Sequence, residues 1–169
     1  MGMANMRNKQ FDSAVDNFKR TLEINPDHKN ALTAIKNVAK NFFNKGNQLY
    51  KRGDLEGALT SYDEVLSVDK TFYQAHFQVG VIQSKMGDKD KAVLSYEKSI
   101  EINPQFYKAY FALGLAKNSM NNADGALQAL QSAIDINPSY DKAYGAMGDI
   151  YIQQKNKNLD FETTEDFSF

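Results

Sequence analysis

Glycine returns every 34 residues along most of this chain, at Gly46, Gly80, Gly114 and Gly148. Ala58, Ala92 and Ala126 keep the same interval, as do Tyr62, Tyr96 and Leu130, and Pro104 with Pro138. One residue type at one spacing means little. Four types locked to one period mark a repeat architecture, in which a single structural unit is copied along the chain.

Each unit reads as two amphipathic helices, A then B, joined by a tight turn. In the unit 39–72, helix A runs to about Arg52. Gly53 suits the left-handed conformation that ends a helix, and Asp54 suits the cap of the next one. Met86-Gly87-Asp88 repeats the arrangement, and Asn121-Asn122 replaces it in the third unit. The periodic glycine removes a side chain where a neighbouring helix comes close, and the periodic alanine of helix B does the same across the hairpin. Tyr62, Tyr96 and Leu130 lie one turn beyond that alanine and are expected to fill the core. Pro104 and Pro138 stop helix B, because proline disfavours helix in the residue before it.

Tyr110, Leu113, Gly114, Ala126, Leu130 and Pro138 fall at the spacings of the tetratricopeptide signature. Over about residues 1–155 the chain resembles the tetratricopeptide repeat family. The resemblance implies an all-α fold, a right-handed superhelical solenoid of antiparallel helix-turn-helix hairpins. There are departures. Lys117 and Gln83 occupy the usual tyrosine position, Lys70 stands where proline is expected, and His76 replaces the large aromatic near the start of helix A. His76 is read as a packing residue.

Residues 39–72, 73–106 and 107–140 are expected to be full repeats, 1–28 a partial one, and 141–155 a capping helix over the last apolar face. Met1 to Ala4 through Asn25-Pro26 aligns without a gap with Leu113 to Ala116 through Asn137-Pro138, so the chain begins inside helix A. It reads as a piece of a longer array in preference to one whose first helix is naturally short. Gly2 and Gly46 are 44 residues apart, which places ten extra residues at 29–38. Ala31, Ile35, Val38, Phe42 and Leu49 keep a helical rhythm through them. The simplest reading is one long helix from about Lys29 to Arg52, with a broken pair of helices as the alternative. Residues 156–169 are polar and acidic, with Leu159, Phe161, Phe167 and Phe169, and read as a flexible tail.

Composition closes off several kinds of function. The net charge is -1 and there are three arginines (Arg7, Arg20, Arg52), so the clustered basic excess of a nucleic-acid binder is missing. Without cysteine there are no disulfides, thiolate metal sites or cysteine nucleophiles. His28 and His76 are the only imidazoles, which makes a metal site unexpected. No apolar run approaches the roughly 20 residues of a membrane helix. Met1–Gln10 lacks the apolar core of a signal peptide, so a cytoplasmic location is the default. The glycines are spaced for helix packing and not for phosphate binding, and no Gly-x-Ser-x-Gly elbow is present. Neither catalysis nor a cofactor is expected.

What the resemblance implies instead is a concave groove lined by the A helices. Its positions in the first full repeat are Lys40, Phe43, Asn44, Asn47, Tyr50 and Lys51; in the second, Gln74, Phe77, Gln78, Val81, Ser84 and Lys85. The third repeat supplies Lys108, Phe111, Ala112, Leu115, Asn118 and Ser119, and the last helix Lys142, Asp149 and Ile152. Phe43, Phe77 and Phe111 share one repeat position and form an aromatic ladder flanked by lysines and amides. A peptide inserting apolar side chains, with acidic flanks, suits such a surface. The alternative is that these rings pack between helices. Co-chaperones of the family grip a C-terminal carboxylate with lysine, asparagine, asparagine, lysine and arginine. Here the positions hold Phe43, Asn47, Gln78, Lys108 and Ala112, and the arginine fork is missing.

The function expected is therefore a protein-interaction scaffold that binds a peptide or partner protein, acidic and aromatic in character. The alternatives are a self-assembling structural protein, or the binding domain of a larger enzyme or multidomain protein. Self-association is expected through exposed repeat ends or through the tail, whose Asp160, Glu162, Glu165 and Asp166 complement the groove lysines.

Overall fold

The computed structural model describes the backbone of residues 2–165 and the side chains of residues 13–156. Among the described residues every regular element is a helix: α1 (Gly2–Ile24), α2 (Lys29–Lys51), α3 (Leu55–Val68), α4 (Tyr73–Lys85), α5 (Lys89–Ile102), α6 (Tyr107–Ser119), α7 (Ala123–Ile136) and α8 (Asp141–Glu165). The fold class is all-α. The chain divides into two compact units, Met1–Gln78 and Val79–Phe169, with α4 contributing to both.

In the first unit α2 pairs with α3, and α1 packs on α2. Ala31, Ile35, Ala39 and Gly46 form the buried stripe of α2. A Cβ at Gly46 would lie 2.6 Å from Cε1 of Tyr62, so the missing side chain is what lets the α3 ring in. Tyr62 and Ala58 are fully buried. The turn between the helices has Gly53 at φ +82°, and the Asp54 carboxylate caps α3 by accepting from Gly57 N at 2.9 Å. The ten inserted residues belong to one unbroken helix. Its cap is His28, whose Nδ1 accepts from Ala31 N at 3.2 Å.

The first helix differs from the repeat reading. By alignment the chain begins in helix A, turns near Lys9-Gln10, and continues as helix B. Instead α1 runs without a break from Gly2 to Ile24. Lys9 and Gln10 stand where the other repeats carry Gly53-Asp54, Gly87-Asp88 and Asn121-Asn122. Neither a left-handed residue nor a capping oxygen is available there, so the helix propagates. Val15 of α1 is buried, and Lys19 Nζ donates to the Ser67 carbonyl at 2.7 Å, at the end of α3.

In the second unit the same hairpin recurs. A Cβ at Gly80 would meet the Tyr96 ring at 2.7 Å, and one at Gly114 would meet Leu130 Cγ at 2.7 Å. Ala92 and Ala126 are fully buried beside these contacts. Gly87 (φ +89°) and Asn121 (φ +61°) make the turns. Ala126, Leu130, Ala133, Ile134, Ala143 and Ile150 form a common core between α7 and α8. Helix α8 continues to Glu165, past the boundary at 155 that the sequence suggests. No glycine or proline follows Gly148 before that point, so nothing ends the helix. The end of the expected tail, 166–169, lies outside the described residues, as do the side chains from 157 onward.

Helix B ends the same way wherever it occurs. Asn25, Asp69, Asn103 and Asn137 each accept, through Oδ1, from the backbone N–H two residues on, at 3.2, 2.9, 3.1 and 3.3 Å. This side-chain turn terminates α3 although Lys70 replaces the usual proline. Two departures from the repeat pattern answer one another here. The Nε2–H of half-buried His76 donates to the Lys70 carbonyl at 3.0 Å, holding the loop that proline would otherwise stiffen.

Candidate functional site

In the first unit the A-helix face opens into a cleft of about 530 Å³. It is lined by Lys36, Lys40, Phe43 and Asn44 of α2, by Asp69, Thr71 and Phe72 of the loop, and by Tyr73 and Gln74 of α4. Its floor is aromatic. The Phe43 ring lies 5.0 Å from that of Phe72 and 5.5 Å from that of Tyr62, both tilted. Lys36 and Lys40, one turn apart, stand exposed on the rim with Asn44. Asp69 is occupied locally, since its Oδ1 accepts from the Thr71 N–H at 2.9 Å and from its hydroxyl at 2.7 Å. Two lysines against one carboxylate leave the lining with a net positive charge.

The second unit carries a related arrangement. Phe111 meets Tyr140 edge-on at 5.1 Å, and Tyr107 meets it at 4.9 Å. Lys108 Nζ sits 5.9 Å from the centre of the Tyr107 ring, a cation–π distance. Burial, then the neighbouring Tyr107 and Asp141, push the Tyr140 phenol above its ordinary pKa.

Of the residues expected in the groove, Lys40, Phe43, Asn44 and Gln74 meet in the first cleft. The Tyr62 hydroxyl donates to Asn47 Oδ1 at 2.7 Å, which fixes the orientation of the amide. Burial, helped by Tyr50, pushes the Tyr62 phenol up to about 12. Tyr50, Phe77 and Gln78 are half-buried, and Lys51 is exposed. In the second unit Val81, Phe111, Ala112 and Asn118 are half-buried, while Ser84, Lys85, Lys108, Leu115, Ser119, Lys142, Asp149 and Ile152 are exposed. The rungs Phe43 and Phe111 are not open platforms. Phe43 and Phe111 each pack against an aromatic from the following loop, which offers the tilted or edge-on contact that rings prefer. Sequence reasoning missed Phe72 and Tyr140 by assigning the groove to helices alone. Their signal was present, since Phe72, Phe106 and Tyr140 keep the 34-residue period. Lys36 was missed because it lies in the insertion and has no repeat counterpart.

Among the described residues no group of three or more His, Asp or Glu is placed to hold a metal ion. No described helix is long and apolar enough to cross a membrane. Models of the tetratricopeptide repeat match residues 46–87, 73–106 and 95–128. The chain belongs to the tetratricopeptide repeat family. Comparison with curated protein sequences finds no match. Among solved structures, this tetratricopeptide chain is similar to MamA, with 24% identity and a TM-score of 0.66, covering 98% of this chain and 89% of that one. It is similar to the first tetratricopeptide domain of Spaghetti (RPAP3) bound to the HSP90 peptide SRMEEVD, with 17% identity and a TM-score of 0.68 over 70% of this chain and 94% of that one. The Sgt2 domain from Aspergillus fumigatus aligns with 21% identity and a TM-score of 0.67, over 72% and 82% of the two chains. At these identities the likeness establishes the fold.

Proposed function

We propose that the protein is a non-catalytic interaction scaffold, and that the cleft between α2 and the start of α4 takes an acidic, aromatic-bearing peptide segment of a partner. The observation that carries this reading is the juxtaposition of Phe43, Phe72 and Tyr73 with Lys36 and Lys40 in one open cleft. An apolar side chain seats against the rings, and carboxylates on either side meet the lysines. The tetratricopeptide domain of Spaghetti is bound to a peptide with three acidic residues, which supports the same chemistry. The grip differs from a terminal carboxylate clamp, because Phe43 and Ala112 replace a lysine and an arginine. An internal segment suits this cleft better than a chain end.

Titration of a labelled acidic-aromatic peptide, followed by fluorescence anisotropy, tests the reading. Lys36→Glu with Lys40→Glu alters two exposed side chains and is expected to weaken binding about tenfold, with the salt dependence of the parent lost. Phe43→Ala removes the seat and is expected to weaken it further, its folding checked by circular dichroism. Equal affinity in the parent and the lysine variant counts against the proposal.

A further inference from the structure

Among the described residues, helix α8 has a face that no other element covers. A Cβ placed on Gly145 or Gly148 meets nothing within 4 Å, unlike one at Gly46, Gly80 or Gly114. Tyr144, Tyr151 and Ile152 on the same face are 52%, 55% and 61% exposed. The matching face of α6 is closed by α7: Leu113 and Gly114 are buried, Tyr110 and Lys117 half-buried. The inward side of α8 is already used, since Ala143 and Ile150 belong to the core with α7.

Charge is placed symmetrically along this stripe. Asp141 lies seven residues before Gly148 and Lys155 seven residues after it, both exposed. Seven residues are about two turns, so both project on the same side as Gly148. We propose that this face of α8 pairs antiparallel with α8 of a second copy of the chain, about a two-fold axis at Gly148. The axis sets Asp141 against Lys155 of the second copy, and the reverse, giving two opposite-charge pairs. A parallel pair would set like charge on like. Asp141 Oδ1 accepts from Lys142 N at 2.8 Å, which leaves its second oxygen for the ammonium. In this register Tyr151 lies over Gly145 of the other helix, and Tyr144 lies beside Ile152. The glycines make room for rings, as Gly46 does for Tyr62. Such a contact is isologous and closes at two copies.

The area sets the strength. A helix strip about 21 Å long and about 10 Å wide covers on the order of 400 Å² over the two copies together, well below the roughly 1,200 Å² of stable interfaces. The dimer is therefore weak and concentration-dependent.

Sedimentation of the full chain over a range of concentrations reads this directly. The parent is expected to pass from monomer to dimer and stop there. Asp141→Lys and Lys155→Asp each replace two attractions with two repulsions and are expected to raise the midpoint about tenfold, while the double variant returns close to the parent. Gly148→Glu, on open space, is expected to keep the monomer fold and abolish the dimer. A parent that stays monomeric throughout, or a double variant no better than the singles, overturns the proposal. Growth past the dimer that Ala14→Glu abolishes also overturns it. That result means α1 of another copy docks on α8, since Ala14 is exposed where its counterpart Ala126 is buried.

Discussion

Tyr62 ties together the packing and polar arguments at the residue scale. Its ring fills the space left by Gly46, and its hydroxyl donates to Asn47, so ionising the phenol breaks a bond in a buried site. An unfolded tyrosine titrates near 10. The folded value is pushed up to about 12 by burial, with Tyr50 adding to it. Because the folded value is the higher, this contribution is complete below about pH 10 and is lost as pH rises towards about 12. Tyr62→Phe is expected to cost about 1 kcal/mol at neutral pH, from the lost bond, and to flatten the alkaline decline. Urea unfolding at pH about 8 and about 11 checks it, and equal losses in the parent and the variant would exclude the assignment.

At the scale of the element, the turns separate conformation from contact. Gly87 sits at φ +89°, and a Cβ placed there would meet nothing within 4 Å, so a side chain costs backbone energy alone. Gly87→Ala is expected to destabilise by about 1 kcal/mol. Gly87→Asn is expected to cost less, because Asn121 already makes the equivalent turn at φ +61°. Thermal melts rank the two, and equal losses would contradict the conformational account. The same logic explains α1. Its turn was expected from the alignment of Gly2 with Gly114, but that alignment rests on packing positions, whereas a turn is made by its own residues. Lys9-Gln10 carries no turn chemistry, and the helix continues. The local signal was legible there, and the repeat pattern obscured it. The extension of α8 has the same character, being a consequence of missing stop residues.

For the molecule as a whole, the two compact units imply that a lesion is felt near where it is made. In a repeat array each unit is stabilised mainly by its neighbours. Gly46→Leu forces a side chain into the Tyr62 ring and is expected to destabilise by roughly 1–3 kcal/mol. Amide exchange is expected to accelerate in α2 and α3 well before α6 and α7. Uniform loss of protection would show that the units melt as one. The repeat, its hairpins, the close-packed glycine–alanine positions and the turns at Gly53, Gly87 and Asn121 were determined by the sequence alone. They depend on steric and conformational rules that act within a few residues and recur with the period. The site was decided by the tertiary structure. Phe43 and Phe111 gained partners from loops, the Asn47 amide was oriented by Tyr62, and Lys36 joined Lys40 beside the aromatic floor. Which of several competing partners a side chain meets depends on distances between residues far apart in the chain, and periodicity carries no record of those distances.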